Sequence, residues 1–176
     1  MVSGGMPSTS TSKSASKARP GVIVTHPNRS KPVVQTTRAT VVLLLIASAA
    51  LILIVTIGGW GTLAGDIPIL LAYAAVYLVM AYYAGRWSRG VLPLAAVLAL
   101  LLAIFALVAA PGWFERDKPG FAEPSLNAGL LGVITLVIIP VQMLLIAFTM
   151  RGFQQGWNVE LEQLDPHAQG SLPHSA

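Results

Sequence analysis

The sequence contains no cysteine. Disulfides, iron–sulfur clusters, thiol catalysis, zinc thiolate sites and cysteine-linked lipid anchors are excluded with it. Charge is almost as scarce. Asp, Glu, Lys and Arg make up 10% of the 176 residues, where a soluble domain carries about 25%. The three histidines, His26, His167 and His174, stand near the two ends of the chain, so no long apolar segment offers an axial haem ligand or a copper site. No carboxylate interrupts those segments to relay a proton, and no paired Asp, Ser/His or zinc-ligand set occurs in them for proteolysis within a bilayer. The expectation from these absences is a protein that is not an enzyme and has no catalytic residues, cofactor or metal.

What the chain has in abundance is hydrocarbon. Apolar residues make up 55% of it, and the mean hydropathy is +0.70. Four uncharged runs carry most of this: Ala39–Trp60, Ile67–Gly85, Val91–Gly112 and Ser125–Met150. A helix rises 1.5 Å per residue, so about 20 residues cross a hydrocarbon layer of about 30 Å. Transmembrane β-strands are half that length and alternate in polarity. The fold class expected is therefore an all-α membrane protein with four transmembrane helices.

The basic residues set its orientation. Lys13, Lys17, Arg19, Arg29, Lys31 and Arg38 precede the first run. Arg86 and Arg89 link the second to the third, Arg151 follows the fourth, and only Arg116 and Lys118 fall in the third-to-fourth link. Nine against two by the positive-inside rule places both ends in the cytoplasm, as four spans require. No aromatic residue interleaves the basic ones of the leading segment to stack on bases, so we read them as topology determinants attracted to anionic lipid, with no nucleic-acid partner. The first run is too long for the core of a signal peptide, and Val2 excludes myristoylation.

Three regions follow from this: a disordered basic cytoplasmic tail (1–38), the four-helix transmembrane domain (39–150) and a cytoplasmic C-terminal tail (151–176). In the leading tail Val22-Ile23-Val24 is an isolated apolar run with nothing evident to pack against. Asp66 and Pro68 are placed to cap and open the second helix, and Pro111-Gly112 to end the third.

Two stripes of small residues mark packing faces. Ala96, Ala99, Ala103, Ala106 and Ala110 recur at heptad spacing in the third run; Ser125, Ala128, Gly132, Thr135, Ile139 and Gln142 do so in the fourth. Small residues let helix backbones approach closely in lipid, where the hydrophobic effect does not drive association. The two stripes are expected to face one another. Gln142, one turn from Pro140, is read as a structural hydrogen-bonder. Tyr73 and Tyr77 are read as packing residues, and Ser48 as a lone structural hydroxyl.

Residues 157–162 (Trp-Asn-Val-Glu-Leu-Glu) alternate apolar and polar, the period of a half-buried strand, with no other strand pattern to pair with. Three explanations stand open: an amphipathic stretch anchored at the interface, a disordered tail, or a strand added to a partner's sheet. The last makes Trp157, Val159 and Leu161 a candidate partner strip. The functional expectation is a non-catalytic accessory, assembly or scaffold subunit of a membrane complex, in contact with the bilayer and with a membrane-protein partner or further copies of itself. The alternative is a channel or carrier for a neutral or apolar solute.

Overall fold

The computed structural model describes residues 22–25, 31–120, 124–157 and 161–164. They fall into two units. The larger consists of four helices: α1 (Pro32–Gly58), α2 (Ile67–Gly85), α3 (Val91–Arg116) and α4 (Ala128–Gln154). All four are long and apolar enough to span a membrane.

The helix ends differ from the sequence expectation where local chemistry decides them. α1 starts at Pro32, seven residues before Ala39. Proline in the first turn sacrifices no helical bond, and nothing from Val33 to Arg38 breaks the helix, so these residues belong to the bundle rather than to a tail. α3 runs through Pro111 to Arg116. Pro111 forfeits one helical bond, yet the helix continues through it and buries Trp113 two residues on. α4 begins at Ala128, where the Asn127 side chain accepts a bond from the Leu130 amide at 3.0 Å, the acceptor role expected of an N-cap. Asp66 holds the corresponding place before α2 but makes no side-chain cap bond. Pro68 in the first turn has no N–H to give it.

The helices are not arranged four-square. α1 packs on both α2 and α4, α4 packs broadly on α3, and α2 barely touches α3. Most of the expected small residues are buried: Ala99, Ala103, Ala106 and Ala110 on α3, and Ala128, Gly132, Thr135 and Gln142 on α4. Gly132 lies against Phe114 of α3, whereas the Gln142 side chain turns to α1 and α2. Ala96 and Ile139 are only half-buried, while their neighbours Ala95 and Ile138 are buried. Ser125 lies exposed ahead of α4. A strict heptad drifts around a helix of 3.6 residues per turn, so single positions slip off the seam by one residue. Outward faces stay apolar, with Val108 75% and Leu43 65% exposed, as surfaces solvated by lipid should be.

The smaller unit is a two-stranded antiparallel ladder of β1 (Val22–Thr25) and β2 (Leu161–Leu164), with Val22 opposite Leu164 and Thr25 opposite Leu161. It corrects two expectations: the Val22-Ile23-Val24 run has a partner, and the C-terminal strand pairs within the chain. β-branched residues fill β1, which suits a strand. Its partner lies at the far end of the sequence, where periodicity cannot reveal it. The paired segment is not the alternating run either, since β2 reads Leu-Glu-Gln-Leu.

Candidate functional site

Three helices meet at the amide of Gln142. The Tyr77 hydroxyl donates to Gln142 Oε1 at 2.9 Å, Gln142 Nε2 donates to Ser48 Oγ at 2.9 Å, and Ser48 Oγ donates to the Leu44 carbonyl at 2.7 Å. All three side chains are fully buried. The chain of bonds ties α1, α2 and α4 together and leaves the amide no face toward a cavity. Sequence reasoning singled out Gln142 as structural but missed that Tyr77 and Ser48 are its partners; their polarity within apolar helices was the available signal. We expect Gln142→Leu to cost about 1 kcal/mol in detergent unfolding, since membrane interhelical bonds average about 0.6 and reach about 1.7 kcal/mol. Adding Tyr77→Phe should recover part of that loss, because the Tyr77 hydroxyl otherwise stays buried without its acceptor, whereas Ser48 keeps the Leu44 carbonyl. Unfolding curves of the single and double variants check this.

At the end of the bundle where α1 begins, arginines and aromatic rings interlock. Arg38 Nη1 donates to the Gly85 carbonyl at the end of α2 (2.8 Å), and its guanidinium lies 4.2 Å from the Trp87 ring centroid. Arg89 lies 4.2 Å from the Phe153 centroid, and its Nε is the one buried side-chain polar atom without a hydrogen bond among the described residues. Arg86 is exposed; its bond to the Tyr82 hydroxyl (2.7 Å) raises its pKa above the ordinary arginine value. Trp87 adopts φ 66°, a conformation costly for a bulky residue. Its indole packs edge-to-face on Trp157 at 5.8 Å, so tertiary contacts hold it there.

Trp157 itself is fully buried. Gly156, at φ 58°, supplies the left-handed turn after α4 that folds the chain back, and a Cβ on Gly152 would lie 2.9 Å from the Trp157 ring. Of the three residues of the candidate partner strip, Trp157 is sealed in the helical unit, Val159 lies outside the described residues, and Leu161 belongs to β2.

The remaining feature of note is a cleft where α2 and α3 part. Its volume is about 530 Å³. Ile52 and Val55 of α1 with Thr135 and Ile138 of α4 line it, as do Asp66 and Tyr73 on the α2 side and Phe105 and Trp113 of α3. The Tyr73 and Phe105 rings, edge-to-face at 6.3 Å, bridge the gap. The Thr135 hydroxyl is spent on the Leu131 carbonyl at 2.8 Å. Asp66 is the one charged residue among those lining it. The cleft escaped sequence reasoning because it arises from a contact that α2 and α3 do not make.

Among the described residues no three His, Cys, Asp or Glu side chains are grouped to hold a metal ion. Neither a family model, a characterised protein nor a solved structure matches this chain.

Proposed function

We propose that this protein is a non-catalytic, multi-pass protein of the plasma membrane, with both ends in the cytoplasm, that serves as an accessory or scaffold subunit of a membrane complex. The observation that carries this reading is the Ser48–Gln142–Tyr77 chain: these three polar side chains are consumed in holding helices together. Such a bundle offers partners its apolar flanks, and lipid its basic end. Purified in mild detergent, the chain should retain a membrane-protein partner in fixed ratio across preparations. Recovery as an isolated monomer would remove the subunit role, and self-assembly alone would reduce it to a homo-oligomer.

The second reading, a carrier for a neutral or apolar solute, draws on the cleft between α2 and α3. Burial of Gln142 takes the amide out of any solute path, so a carrier would work from the side of the bundle rather than through its centre.

The orientation rests on the nine-to-two distribution of Lys and Arg. Reporters fused after residue 120 should read outside and those at residue 165 inside. The reverse pattern would invert the protein.

A further inference from the structure

We propose that the cleft between α2 and α3 binds an amphiphilic monocation that enters sideways from the bilayer, its apolar body between the helices and its charge at Asp66. The site is independent of any subunit role. Its volume of about 530 Å³ falls within the about 300–1,000 Å³ usual for small-molecule sites. Because α2 and α3 scarcely touch, the opening lies on the flank of the bundle, where a membrane-dissolved molecule arrives directly.

The lining specifies what fits. Thr135 has spent its proton on its own helix, and with the Tyr73 hydroxyl it is one of few polar groups in a lining that is mostly hydrocarbon, so the body of the ligand is apolar. Tyr73, Phe105 and Trp113 line the cleft, and aromatic faces attract cations as well as apolar groups. Asp66 supplies the charge preference. It is exposed, makes no cap bond to α2, and has no ion pair among the described residues. The basic residues after Trp113, Arg116 and Lys118, line a different pocket with Asp117 and Asn127. A carboxylate beside an apolar, low-dielectric cleft favours a positive charge more strongly than it would in open water.

Two probes of matched shape and opposite charge test this: tetraphenylphosphonium and tetraphenylborate. Equilibrium dialysis would use the full chain in nanodiscs of phosphatidylcholine, with empty nanodiscs subtracted. The phosphonium should bind saturably at one site per chain, and the borate should not. Asp66→Asn should weaken phosphonium binding about tenfold, through loss of the Coulombic attraction of one carboxylate at the rim of the cleft. Ala109→Trp, at an exposed position lining the cleft, should abolish saturation while circular dichroism stays unchanged. Non-saturable uptake, equal binding of the borate, or an unaltered Asp66→Asn variant would each overturn the proposal. So would native mass spectrometry showing a phospholipid that the phosphonium cannot displace, which would assign the cleft to a lipid chain.

Discussion

Replacing Trp157 with alanine is expected to destabilise the helical unit by about 3 kcal/mol, the lower end of the range for removing a buried tryptophan. The indole is fully enclosed. It packs edge-to-face against Trp87 and covers Gly152, and its Nε1 donates to Gln155 Oε1 at 3.3 Å. Gln155 in turn donates through Nε2 to Thr37 Oγ1 at 3.0 Å, so the same side chain fastens the end of α4 to the start of α1. Without the indole, Trp87 keeps its unfavourable φ of 66° with one fewer contact to hold it. Trp157→Phe should retain roughly half of the stabilisation, since ring packing survives and the donor does not. Gly152→Val should resemble the alanine variant, because its side chain would occupy the space of the indole. Thermal unfolding in detergent, followed by circular dichroism, measures all three. An unchanged midpoint for Trp157→Ala would return the side chain to the partner strip that its alternating neighbours suggested.

That contrast shows which parts of the fold were legible from sequence. Four uncharged runs of membrane-spanning length specify four helices almost regardless of detail, and α2 spans the same residues expected of it, Ile67–Gly85. The other boundaries moved because side-chain contacts set them. Asn127 caps α4, α3 continues past Pro111 and buries Trp113, and Pro32 opens α1 ahead of the charged residue that seemed to end the tail. The small-residue stripes were legible as faces, since burial along α3 and α4 follows their spacing to within one residue. Pairings between distant residues were not. Nothing in the period of α1 indicates that Ser48 receives the Gln142 amide, and nothing in Val22–Thr25 points to Leu161–Leu164. The cleft was the least legible feature: it depends on how far α2 stands from α3, and a hydrophobic pattern specifies faces rather than distances.

The same physics makes two truncations diverge. Deleting residues 1–31 should change unfolding of the four-helix unit little, because β1 belongs to the other unit and the Lys31 carbonyl that accepts from the Val34 and Gln35 amides is replaced by that of the start methionine. Deleting residues 1–38 removes only seven more residues yet should cost about 3 kcal/mol. Those residues bury Val34 and Thr37, and they carry Arg38. Burial of the valine contributes about 1.5 kcal/mol or more, although part of it faces lipid rather than water in the unfolded reference. The charged bond from Arg38 to the Gly85 carbonyl adds about 1.5 kcal/mol, and its position over Trp87 adds about 0.5–1 kcal/mol. These terms share neighbours and do not sum fully. Losing Arg38 together with the five basic residues before it also leaves three Lys/Arg on one side against two on the other, so the longer truncation should insert in mixed orientation as well as melt earlier. Arg38→Gln in the full chain separates the effects. Its other basic residues keep the orientation, while stability should fall by about 1–2 kcal/mol. Equal stability of the two truncations would mean that the first two turns of α1 do not dock on the bundle. Equal stability of Arg38→Gln and the native chain would confine Arg38 to its role in topology.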